Sequence, residues 1–197
     1  MVGMVADIDK VCGLAWRQAG DSIVLLGASA DQDDDDRIGL GGSSYQGVIH
    51  GLLTGRPPRV DLDLEARVQA LVRQAIDQGI LASAHDCSDG GLAVALAESS
   101  LACGHGAEIS LVASDTRLER RLFAEGGGRI VVSVKAERQA DWQALLASAQ
   151  VPFQSLGTVA GHGELRIESG GQTLLALAVE ALASTFEEAL PRRIEAA

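Results

Sequence analysis

From residue 83 to residue 91 the chain reads SAHDCSDGG, which places His85, Asp86, Cys87, Ser88 and Asp89 directly before Gly90 and Gly91. A connecting loop needs one or two turn residues, whereas this one carries a donor or acceptor at nearly every position. A glycine pair opening a helix lets backbone N–H groups come close to a ligand, and the free amides of a first helical turn favour an anion. Asp86 and Asp89 work against a bare phosphate, so the loop suits ligand hydroxyls or amides, a bound cation, or its own backbone. His85 can donate or accept near neutral pH and so could orient a ligand or a carboxylate. A structural reading stands beside this one, in which a histidine and an aspartate simply tie down the start of a helix. In either case Ser88 or Asp89 is the expected N-cap.

A second stretch, GLGGSSY over residues 39–45, has the same design, with Gly41 and Gly42 followed by the hydroxyls of Ser43 and Ser44 and then a helix. It lacks the Gly-Lys-Ser/Thr of a P-loop and does not sit after a first strand as a dinucleotide fingerprint does. Cys12, Cys87 and Cys103 are an odd, scattered set with no CxxC pair, which argues against both a disulfide framework and a zinc site. Cys87 reads as a small packing residue rather than a nucleophile. The run DQDDDD over residues 31–36 carries five aspartates. Neighbouring carboxylates of this kind are read as a solvated loop in preference to a metal site.

The elements that must position these loops follow from periodicity. SIVLLGAS is a short apolar run between turn residues, as a buried strand would be. A helix starts at Ser43, with Gly55, Pro57 and Pro58 expected to stop it. In the next segment Leu64, Val68, Leu71, Val72 and Ala75 fall on one helical face, with Asp61 or Asp63 as cap and Gly79 as terminator. ILASA leads into the first loop as a strand, and the helix after Gly90 is apolar nearly all round, so it should lie beneath other structure. Further on come a strand AEISLVA, a helix DTRLERRLFAEG, a strand RIVVSVK and a helix AERQADWQALLASAQ. Three strands, FQSLGTVAG, ELRIES and TLLALAV, and a helix over 180–188 complete the chain. This mixed order predicts an α/β (α+β) fold of three layers, a mixed β-sheet flanked by helices.

The 197 residues, 47% of them hydrophobic, are enough for one domain with a substantial core. Sixteen Lys and Arg against 27 Asp and Glu give a net charge of −11, a field that disfavours nucleic acid and anionic lipid as partners. No run reaches the roughly 18 apolar residues of a membrane span. The first residues are acidic where a signal peptide is basic, so a cytoplasmic protein is expected.

Together, LGGSSY, the helix DLDLEARVQALVRQAI and SAHDCSDGGLAVALAES resemble the last, aminoimidazole-ribonucleotide-synthetase-like domain of the phosphoribosylformylglycinamidine synthase family, in its small, separate-subunit form. The likeness is ordered and runs from about residue 2 to the final LPRRI; the string from His85 to Gly91 is its most specific part. It implies the C-terminal fold of that repeat at 21–197, with residues 1–20 the closing strand and linker of an N-terminal repeat domain. It also implies a purine-pathway ligase that uses ATP and Mg2+ to activate the amide oxygen of formylglycinamide ribonucleotide for attack by ammonia. The ammonia would come from a separate glutaminase subunit, with a small accessory subunit.

The family's catalytic histidine, Mg2+ ligands and most ATP contacts would then lie upstream. No catalytic or metal-binding residue is expected in this chain, nor a tightly bound cofactor, and the fragment alone is expected to be inactive. Gly41, Gly42, Ser43, His85, Asp86, Ser88, Asp89, Gly90 and Gly91 carry over as supporting residues of a nucleotide or phosphate cleft. Relatives with the same repeat are the alternatives: aminoimidazole ribonucleotide synthetase, selenophosphate synthetase, thiamine-monophosphate kinase and a hydrogenase-maturation protein. A noncatalytic nucleotide-binding or assembly module is a further one. Its partners would be the N-terminal part of the subunit or, through uncovered apolar surface, a second copy of the fragment.

Overall fold

The structure, a computed structural model, describes residues 4–5, 7–31 and 36–195. Its centre is a seven-stranded sheet in the order β2-β4-β1-β5-β3-β6-β7. The strands are β1 (Ser22–Leu26), β2 (Leu81–Asp86), β3 (Gly106–Leu111), β4 (Ile130–Val134), β5 (Phe153–Ala160), β6 (Glu164–Ser169) and β7 (Gln172–Ala178). β3 and β6 run parallel and every other neighbouring pair is antiparallel. The helices are α1 (Ser44–His50), α2 (Leu62–Asp77), α3 (Gly91–Leu101), α4 (Leu118–Phe123), α5 (Gln139–Ala149) and α6 (Val179–Glu195).

Strand alternation splits the core in two. Val24 and Leu26 of β1 point to one face and pack with Leu64, Val68 and Leu71 of α2 and with Trp142 and Leu145 of α5. Ile23 and Leu25 point to the other and pack with Leu92, Ala95 and Leu96 of α3 and Leu122 of α4. Side chains two residues apart share a face, so a continuous apolar strand such as SIVLL must be covered on both. Three layers are the result, as the sequence predicts. Trp16 is 1% exposed in the second core and its indole N–H donates to Ser100 Oγ at 3.1 Å, which anchors the segment leading into β1 onto α3.

The predicted α2 face is the observed one: Leu64, Val68, Leu71, Val72 and Ala75 are its buried residues, and Asp61 caps it by accepting from Leu64 N–H. Several boundaries differ, and the helix read over 115–126 is only six residues long, Leu118–Phe123, so that Glu125 lies beyond it in a bridge to Gly39. α1 ends at Gly51, whose φ of 64° is the left-handed conformation that closes a helix, well before Gly55 and the prolines. α6 continues to Glu195 instead of stopping near 188, with Pro191 inside it. Residues 32–35 of the acidic run lie outside the described residues; Asp31 and Asp36, at its ends, are paired with Arg121 and Arg59.

Candidate functional site

His85 and Asp86 are the last residues of β2, so the first loop proper is only residues 87–90. The His85 ring sits between two carboxylates, with Nε2 2.7 Å from Glu98 Oε2 on α3 and Nδ1 3.6 Å from Asp86 Oδ1. Asp86 also accepts from the Ser88 hydroxyl, and chiefly that bond holds its carboxyl below the usual carboxylate range. Cys87 points inward. Burial pushes its thiol up to about 11, which leaves roughly one molecule in ten thousand as thiolate at neutral pH and makes it a packing residue.

The N-cap of α3 is neither Ser88 nor Asp89. Ser88 spends its hydroxyl on Asp86, Asp89 faces solvent, and the cap position falls to Gly90, at φ 79° with no side chain to offer. Gly91 follows at φ 66°, and a Cβ there would lie 2.6 Å from Ala124 O. That contact shows why glycine is needed: the start of α3 is pressed against the chain leaving α4.

In the second loop a Cβ on Gly41 would lie 2.2 Å from Arg56 O, so this glycine permits a close crossing of two backbones. Ser43 is 2% exposed; its hydroxyl donates to Leu40 O at 2.7 Å and accepts from Gln46 N–H at 3.3 Å. It caps α1 and faces away from solvent.

The two loops meet at a residue that belongs to neither motif. Glu125 Oε1 accepts from Ser44 N–H and from Gly90 N–H, each at 2.8 Å. One carboxylate oxygen therefore fills the place at the head of both helices where the glycine pattern predicts a ligand anion. Its own backbone is pinned by a two-way bridge to Gly39, with bonds of 3.0 and 2.9 Å. The signal in the sequence is slight, a lone acid before three glycines in AEGGGR.

Asp86, Ser88 and Asp89 do border an open cleft of about 450 Å3, completed by Glu65 and Gln69 of α2 and by residues 125–130. Its lining has four carboxylates, Glu65, Asp86, Asp89 and Glu125, against Arg129. A triphosphate does not fit such a wall unaided, because the carboxylates repel it and the Ser44 and Gly90 amides are taken. Ligand hydroxyls and amines fit it better. Among the described residues no group of three His, Cys, Asp or Glu side chains could hold a metal ion. Gly41 and Gly42 do not line this cleft; Glu125 is what connects their loop to it.

A mixed sheet lies between helical layers, with paired glycines opening α3 and preceding α1. Residues 18–170 match the AIR synthase related protein C-terminal domain, and the chain belongs to that family. It is 64% identical over 98% of its length to phosphoribosylformylglycinamidine synthase subunit PurL of Synechococcus sp. strain WH7803, of which it covers 26%. The chain thus spans about a quarter of the length of the curated relatives it matches. Among solved structures it resembles Thermotoga maritima PurL complexed with FGAR, at a TM-score of 0.73 and 16% identity over 89% of this chain and 30% of that one. The same PurL has been solved with ATP and in the PurLQS structure. Escherichia coli HypE, a hydrogenase maturation protein, shares the fold at a TM-score of 0.54 and 19% identity, over 86% of this chain and 52% of that one. No helix among the described residues is long and apolar enough to cross a membrane.

Proposed function

We propose that the chain is the C-terminal synthetase-like part of a phosphoribosylformylglycinamidine synthase. This is the ligase that converts formylglycinamide ribonucleotide, ATP and glutamine-derived ammonia into formylglycinamidine ribonucleotide. The observation that carries the reading is the 64% identity to a PurL subunit over 98% of the chain. Residues 21–197 are the synthetase-like domain, and residues 1–20 are the closing segment of a preceding repeat domain. ATP and Mg2+ act in the intact enzyme and are held mainly by parts of the longer protein outside this chain; the carboxylate-lined cleft supports that division. Its partners are that longer part of the subunit, a glutaminase and a small accessory subunit, in the cytoplasm.

On this reading the chain contributes support and no catalytic residue. Asp86, Ser88 and Asp89 form the wall of a cleft that a neighbouring domain completes. His85 holds β2 against α3 beside it, Gly90 and Gly91 let α3 start close to it, and Gly41, Gly42 and Ser43 set the second loop. The test is a chimera in which this chain replaces the matching region of the Synechococcus strain WH7803 subunit. The chimera is expected to form the amidine with ATP, ammonia and the ribonucleotide, while the 197-residue chain alone forms none. A folded but inactive chimera, or turnover by the chain alone, overturns the proposal.

A further inference from the structure

We infer that Glu125 is a positioning residue that makes the two glycine loops a single mechanical unit. Three close approaches converge on it. Gly91 backs onto Ala124 O, at 2.6 Å from where a Cβ would stand; Gly126 backs onto Arg37 O, at 2.3 Å; and Gly39 bridges the Glu125 backbone in both directions. Each contact fixes the backbone on one side of Glu125, and side chains larger than hydrogen at Gly91 or Gly126 would push it away. The carboxylate so held reaches Ser44 and Gly90, amides 46 positions apart, through one oxygen.

A helix start normally satisfies its amides with a nearby side chain or with water. Gly90 offers no side chain. The Ser43 hydroxyl already accepts from Gln46 N–H and donates to Leu40 O. Glu125 is thus the group that caps α3 from outside and at the same time pins the first residue of α1. A charge-assisted bond of this kind is worth about twice a neutral one, and here two such bonds share one acceptor. Displacement of the carboxylate at one loop must therefore strain its bond to the other. The coupling rests on the geometry; only its meaning for a nucleotide beside the cleft rests on the proposed function. In the longer enzyme, a ligand seated against residues 86–89 would be felt at residues 41–44.

The experiment needs no ligand, so its outcome is separate from that of the chimera. In the 15N-labelled 197-residue chain, amide exchange is followed at Ser44 and Gly90, with β1 and β4 as internal references. Glu125→Ala is expected to speed exchange at both amides by roughly tenfold or more, as loss of a bond to a charged acceptor implies, while the strands stay protected. Glu125→Gln keeps an oxygen acceptor and is expected to restore most of the protection at both. A second readout separates coupling from plain stability. Gly42→Ala should shift the Gly90 and Gly91 signals when Glu125 is present and leave them unmoved in Glu125→Ala. Should Glu125→Ala fail to fold, Glu125→Asp, one methylene shorter, replaces it and is expected to release at least one amide and to abolish the Gly42-to-Gly91 response. Faster exchange at neither amide, or a Gly42→Ala signal that reaches Gly91 without Glu125, overturns the inference.

Discussion

At the scale of single residues, two glycines separate a conformational requirement from a spatial one. Gly42 adopts φ 72° with nothing within 4 Å of a would-be Cβ, whereas Gly91 adopts φ 66° with Ala124 O at 2.6 Å. Gly42→Ala should therefore cost only the left-handed penalty, about 1–2 kcal/mol, and Gly91→Ala a clash besides, about 3–5 kcal/mol in all. Chemical denaturation of both variants checks the difference. The cysteines give a second test, since Cys103 is exposed and Cys87 is buried with its thiol raised to about 11. A mild alkylating agent should label Cys103 rapidly and Cys87 only on unfolding, as read by mass spectrometry. Residue types in HDCSDGG announce a polar loop correctly, yet they do not say where each polar group goes. The partners of His85 and of Gly90, Glu98 and Glu125, lie 13 and 35 positions away.

Elements with a strong period are legible in the amino-acid sequence by themselves, and α2 is the clearest. Its buried face and its Asp61 cap depend only on local spacing. Leu71→Ala should cost about 2–5 kcal/mol as a buried large-to-small change, while Arg73→Ala on the wet side should change stability by less than about 0.5 kcal/mol. Thermal or urea unfolding distinguishes them. The caps also set an acid limb. Asp61 is held below the usual carboxylate value mainly by the Leu64 N–H, and Asp86 mainly by the Ser88 hydroxyl. A carboxyl whose pKa is depressed by folding stabilises the native state above its unfolded value of about 3.9 and loses that contribution as pH falls through the folded value. Stability should thus decline below about pH 4, and Asp61→Asn should flatten that decline in a series of melts across pH. Asp21, raised by burial, acts in the opposite sense: its contribution falls as pH rises above its unfolded value. The α3 start departs from expectation because N-cap preference is a local statistic, and here a remote carboxylate overrides it.

For the whole molecule, the layers follow from alternating strands and one-sided helices, but the strand order does not. Of the neighbouring strands only β6 and β7 are consecutive in the chain; every other pairing is decided by distant residues that no local pattern encodes. The C-terminal end of α6 shows how unevenly the layers are covered. Val179 is buried and Leu182 packs against the second core, while Phe186, Leu190 and Ile194 stand in solvent. Removing residues 187–195 should lower Tm by less than about 2 °C, whereas Leu182→Ala should lower it by several degrees, as a scanning calorimeter would show.

The placement of β1 in the middle of the sheet has a consequence for biosynthesis. Its two partners are β4, at Ile130–Val134, and β5, at Phe153–Ala160. A ribosome adding about 5–20 residues per second would leave the SIVLL ribbon without a mate for roughly 5–22 s after translating it. Nascent chains stalled before residue 130 should then be bound by chaperones that hold unfolded polypeptides, and chains released beyond residue 160 should not.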